Sequence, residues 1–305
     1  MRVSRLVLWS IILLLLLTNI GTVLLMSNNN SSDQLVMSDR EIDRNKPLAE
    51  VGNTDINYQS WLNELINQHG EEVLHNMVDS EVVFQLAKQQ DLSIEPKIIE
   101  REIARMLVME GVLSEEEKAD KVDQWTEQIE YRYYLQELIT KDVEVPESEI
   151  ETYFNEYKRQ YQFEDMVQIS HILVPTEQEA EYVMTKLEDG ESFSGVAKEH
   201  SIDEDTASDG GYLGFYSETS SFIPGEYYDV STELSPGEYS EPQLMDNGYA
   251  VIYLHQHLPA IELSYEEAFQ EVRQDLALDQ LEKNIDAESL WEQTGVNLTY
   301  KNANN

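Results

Sequence analysis

The stretch Gln168-Ile169-Ser170-His171-Ile172-Leu173-Val174, answered further on by Asp209-Gly210-Gly211-Tyr212-Leu213-Gly214-Phe215, decides how the middle of this chain folds. The runs Val167 to Val174 and Ala250 to Leu254 are short and rich in β-branched residues, the mark of strands. Between them, Asp-Gly-Gly and Ser-Pro-Gly supply turns, and Glu177 to Leu187 carries apolar residues at helical spacing. Residues 164–258 are therefore read as a mixed α+β domain.

Outward from that domain both flanks are helical. Trp61, Leu65, Ile66, Val73, Met77 and Val82 recur at three-to-four spacing. Ile98, Ile103 and Leu107 follow in the same style, then Val122, Trp125, Ile129 and Tyr133, before Pro146 interrupts. Ser148 with Glu151 has the spacing of a capping box, and so has Ser264 with Glu267 after Pro259. An amphipathic stripe needs a partner to cover it, so residues 259–300 are expected to pack back on residues 47–163. The mixed domain is then an insertion in a discontinuous all-α domain.

Residues 27–46 are Asn-rich and charged, with too little apolar content to offset the entropy of ordering, and read as a flexible linker. Before them, Leu6 to Met26 is an almost unbroken apolar run of roughly 20 residues, enough to cross a bilayer as a helix. Arg2 and Arg5 precede it, and the positive-inside rule places the rest of the chain outside the cell membrane. No small-residue cleavage motif follows Met26, so residues 1–26 are expected to stay as a single-pass signal-anchor.

Among 305 residues, 20 are Lys or Arg and 60 Asp or Glu, a net charge of -40 that repels polyanions and argues against a nucleic-acid partner. The same acidity keeps a chain soluble in a saline or alkaline exterior. Cysteine is absent, which removes disulfides, thiol nucleophiles, thiolate metal sites and a lipid-modified cysteine anchor. His255 and His257, at i and i+2, could share a strand face, but no third ligand accompanies them and no metal is expected. No Walker-type glycine loop is present, and no cofactor is expected.

The motifs quoted above, with Ser235-Pro236-Gly237-Glu238 and Gly248-Tyr249-Ala250-Val251-Ile252, resemble the parvulin family of peptidyl-prolyl cis-trans isomerases over about Val167 to Leu254. The flanking helices, through Ala49 to Asn53, Gly70 to Leu74 and Pro146 to Ile150, are similar to the helical domain of bacterial extracytoplasmic foldases and periplasmic chaperones. The resemblance implies an antiparallel sheet with surrounding helices. It implies clients that are unfolded or partly folded exported polypeptides containing X-Pro bonds, with a homodimer among the assemblies open to the chain.

Parvulins twist the bond before proline, whose uncatalysed rotation crosses roughly 18–20 kcal/mol and takes on the order of tens to hundreds of seconds. By motif position His171 matches the first family histidine, and Asp203 the active-site cysteine or aspartate. Leu213, Phe222 and Tyr227 fall where the family has its proline-contacting leucine, methionine and phenylalanine, with one residue inserted between Gly214 and Pro224. By composition alone, a strand histidine is ordinarily a satisfied interior group and large apolar residues ordinarily fill a core. Ala250 stands where the family has its second histidine, and Met245 where it has a threonine, so half of the implied polar floor is missing. Those departures leave a second reading, a non-catalytic holdase; a membrane scaffold for cell-envelope partners is a third.

Overall fold

The computed structural model describes residues 34–37, 40–281 and 286–299. The apolar run Leu6 to Met26 lies outside them, and no helix among the described residues is long and apolar enough to cross a membrane. The chain divides into two compact units, Met1–Val78 and Asp79–Asn305, at a point inside helix α1 (Tyr58–Gln89).

In the first unit, β1 (Gln34–Met37) pairs antiparallel with β2 (Arg40–Asp43), inside the stretch expected to be a linker. Next, β3 (Pro47–Val51) pairs with β4 (Thr54–Asn57), where the helical domain was expected to start. The local cause of the second hairpin is legible: Val51 pairs with Thr54, and Gly52 takes φ 63° in the two-residue loop between them. Helical periodicity begins only at Tyr58.

The second unit holds helices α2 (Pro96–Val108), α3 (Glu115–Thr140) and α4 (Glu147–Tyr157). Proline at the first turn opens α2, and a capping box of Ser114 and Glu117 opens α3. The box expected at Ser148 does not form, because the extended Pro146 caps α4 and puts Ser148 inside the first turn. There Glu147 and Glu149 complement the helix dipole in its place. A 3-10 turn (Lys158–Tyr161) leads into the mixed domain.

That domain is a four-stranded antiparallel sheet, β5 (Met166–Val174), β6 (Tyr212–Tyr216), β7 (Gln243–Met245) and β8 (Gly248–Leu258), in the order β6-β5-β8-β7. Alternation along the strands sorts side chains between its faces. Ile172, Val174 and Val251 pack under α5 (Glu177–Glu188) and α6 (Phe193–His200). Val167, Ile169, Ala250, Ile252 and Leu254 pack with Tyr227 of α8 (Gly225–Thr232) on the other face. A short helix, α7 (Glu204–Ala207), precedes β6.

The chain leaves the domain beside its point of entry, since Met166 pairs with Leu258 and Phe163 bridges to Ile261. Helix α9 (Tyr265–Gln280), opened by a capping box of Ser264 and Glu267, then joins the earlier helices. Its Ala268 and Val272 share one buried core with Ile98, Leu107, Ile129, Tyr133, Ile150 and Phe154. The chain ends, within the described residues, in a 3-10 turn (Ala287–Leu290) and the short α10 (Trp291–Thr294).

A charge pair is set into that core. The Arg101 side chain is fully buried and donates to both carboxylate oxygens of Glu271, at 2.9 and 2.6 Å. Tyr133 donates to Glu271 Oε1 at 2.6 Å, so the network ties α2, α3 and α9 together. Arg101 also reaches Glu102 Oε1 at 3.0 Å, so removing Glu271 leaves a buried guanidinium with one carboxylate where it had two, and leaves the Tyr133 hydroxyl without its acceptor. Glu271→Leu is therefore expected to lower unfolding free energy by about 3–5 kcal/mol. Adding Arg101→Met should recover most of the loss, both read from urea-unfolding midpoints.

Candidate active site

His171 is placed by strand geometry. Lying two residues beyond Ile169 on the face that meets α8, it is 6% exposed, and its backbone N–H donates to the Gly211 carbonyl at 2.8 Å. Gly211 has φ 76°, and a Cβ there would sit 2.0 Å from the His171 carbonyl oxygen. The Asp-Gly-Gly turn is thus what lets β6 approach the histidine. Tyr212, which follows, accepts a hydrogen bond from Gln168 Nε2 at 2.9 Å.

Asp203 reaches the same point from a loop. Ile202 N–H donates to the Leu173 carbonyl at 2.8 Å, and Leu173 N–H to Ser201 Oγ at 3.2 Å, which fasten the loop to β5. As the cap of α7, Asp203 accepts from Asp205 N–H through Oδ1, while its Oδ2 lies 2.7 Å from His171 Nε2. Thr206 donates to that oxygen at 2.5 Å, and its Oγ1 lies 3.2 Å from His171 Nε2. On the far side of the imidazole, Tyr227 Oη is 2.7 Å from Nδ1.

Burial sets the titration of this group. It pushes the His171 imidazole below its ordinary value, outweighing the hydrogen bond and charge of Asp203. Burial pushes Asp203 upward, but the hydrogen bonds from Thr206 and His171 outweigh it and hold the carboxyl below its usual range. The pair is thus a neutral ring beside a carboxylate at neutral pH.

Beside the pair opens a cleft of 630 Å³, lined by Leu213, Ile223, Pro224, Leu244 and Met245 and touched by His171, Asp203 and Tyr227. All five residues singled out by motif position border it, though differently. Leu213 packs with Tyr227 and Met245 against the sheet. Phe222 is 89% exposed, so it stands at the rim, and its neighbour Ile223 turns inward to join that cluster. Ile223 and Thr206 are the residues that sequence reasoning missed. For Thr206 the signal was its spacing from Asp203, that of a helix cap and its third helical residue.

His255 and His257 have separate partners. His255 Nε2 lies 2.7 Å from Ser170 Oγ on the opposite face of the sheet, and His257 Nε2 lies 2.8 Å from Asp165 Oδ1. No cluster of metal-ligating residues occurs among the described residues.

The PPIC-type PPIase domain family matches residues 145–271. YacD of Bacillus subtilis, provisionally named a peptidyl-prolyl cis-trans isomerase, is 35% identical over 254 residues, covering 83% of this chain and 85% of its own. The foldase protein PrsA of Geobacillus kaustophilus is 29% identical over 251 residues, covering 80% of each chain. Among solved structures, PrsA of Bacillus cereus aligns over 85% of this chain and 95% of its own, at 22% identity and a TM-score of 0.31. The chain belongs to the PPIC-type, or parvulin, family of peptidyl-prolyl cis-trans isomerases, and is homologous to the YacD and PrsA proteins.

Burial also lowers His255, to about 4. A histidine whose folded value lies below its unfolded one binds protons more readily when unfolded, so its contribution is complete above about pH 6.5 and shrinks toward pH 4. Stability should therefore fall across that window, beginning above the range of the carboxylates, and His255→Gln should flatten the fall. Urea midpoints measured from pH 7 to 4 check it; an unchanged slope in the variant contradicts it.

Proposed function

We propose that the cleft beside His171 and Asp203 is the site at which this isomerase turns X-Pro bonds, and that it serves exported polypeptides outside the cell membrane. The observation that carries the reading is the 2.7 Å His171–Asp203 contact opening directly on a cleft walled by Leu213, Ile223 and Met245, with Glu226, Asp246 and Asn247 also along its lining.

The chemistry asked of the site is modest. A planar amide is conjugated, with excess negative charge on its carbonyl oxygen; twisting it breaks conjugation and returns a lone pair to nitrogen. Rate is gained by binding the twisted form better than the planar one, with no covalent step. Leu213, Ile223, Met245 and the ring of Tyr227 can hold the prolyl ring. The Asp203 carboxylate, its side chain 23% exposed, then presents negative charge where the conjugated carbonyl would concentrate its own. Phe222 at the rim can cover the residues beside the proline.

The domain division belongs to the same proposal: 164–258 as the isomerase unit, 47–163 with 259–300 as the chaperone-like helical unit, 27–46 as linker and 1–26 as anchor. The Arg101–Glu271 clasp supports the return of the chain after the insertion. The apolar run Leu6 to Met26 with Arg2 and Arg5 before it supports the anchor and an exterior location. Ala250 and Met245 favour a second reading, in which the chain shields unfolded clients without turning them over.

A proline tetrapeptide assay separates the two readings. His171→Ala and Asp203→Ala should each lower kcat/KM by about tenfold or more, with folding intact by circular dichroism. A wild-type rate equal to background would remove the isomerase reading, and aggregation suppression that persists in both variants would establish the holdase in its place.

A further inference from the structure

We propose that the Tyr227 hydroxyl is the positioning group for His171, performing the task left open where Ala250 stands in place of a second histidine. The inference rests on the isomerase reading above and adds a residue that acts through the imidazole.

The donors can be assigned one by one. Asp203 is a carboxylate and can only accept, so His171 Nε2, 2.7 Å away, carries the ring proton. Nδ1 is then the bare lone pair, and the Tyr227 hydroxyl 2.7 Å from it must be the donor. Thr206 donates to the second lone pair of the same carboxylate oxygen. The line runs from phenol to imidazole to carboxylate with one tautomer allowed, and the ring is gripped at both nitrogens.

The surroundings leave Tyr227 without a substitute. Tyr227 is 4% exposed and packs with Leu173, Leu213, Ile223, Met245 and Ala250, none of which offers a side-chain hydrogen bond of the kind an imidazole needs. Ala250 is fully buried and pairs across the strands with Leu173, contributing a methyl group. Without the phenol, Nδ1 would be a buried acceptor with no partner, and the ring would be free to turn away from Asp203. The resemblance puts a phenylalanine at this position, so the extra oxygen is spent on the histidine while the ring keeps the apolar wall.

Tyr227→Phe in the full chain, in detergent micelles, tests this because it removes one atom and keeps the ring. The expected result is a fall in kcat of roughly five- to tenfold with KM unchanged. In a His171→Ala background the same change should have no further effect. The 15N resonance of His171 Nδ1, with histidine selectively labelled, should move toward the value of an unbonded acceptor in the variant. Full activity with an unmoved resonance would overturn the proposal, as would an equal loss in both backgrounds. If the wild-type chain shows no turnover, the isomerase reading fails by itself, and the nitrogen shift still decides whether Tyr227 holds the ring.

Discussion

The antiparallel pairing of β5 with β8 is the constraint on which the rest of the second unit depends. It runs from Val174 opposite Tyr249 to Met166 opposite Leu258, so the residues that open the mixed domain and those that close it lie side by side. Only because entry and exit coincide can Phe163 bridge Ile261 and α9 return to the helices that precede the insertion. The Arg101–Glu271 pair then fastens the returning helix, because a buried guanidinium and carboxylate are costly to part.

The same pairing builds the site. Strand alternation sends Val167 and Ile169 into the apolar layer under α8, and two residues on it sends His171 to the mouth of that layer, where the cleft begins. The histidine is therefore part of the core and part of the cleft wall. Its surroundings are apolar enough to keep the ring neutral, yet each nitrogen finds a polar partner, from α8 on one side and from the loop that caps α7 on the other. A sheet supplies the fixed point, and loops and a short helix bring the chemistry to it.

How much of this could be read from the chain depended on how far each feature reaches along it. The strands around His171, the turn at Gly210 and Gly211, and the capping box at Ser264 are local patterns, and they form as their residues direct. The return of α9 was legible because an amphipathic stripe demands a partner. Features one residue wide were lost: motif spacing pointed to Phe222, which stands exposed at the cleft rim, while its neighbour Ile223 packs inward. The strand pairs between residues 34 and 57 were hidden by polar average composition, because each joins only one apolar pair, Leu35 with Ile42 and Ala49 with Ile56, among polar ones. Tyr227 read as an apolar ring, and only three-dimensional placement shows its hydroxyl against an imidazole 56 residues away.

The central claim is that one cleft both grips a prolyl ring and lowers the barrier to rotation about its amide. Exchange spectroscopy on a 15N- or 13C-labelled X-Pro peptide, with the full chain added in substoichiometric amounts, tests both halves together. The account predicts cis–trans exchange on the sub-second scale, with protein resonances shifting at Leu213, Ile223, Tyr227 and His171. Exchange that stays at the uncatalysed rate, or binding that shifts residues elsewhere and leaves those four unmoved, would contradict it.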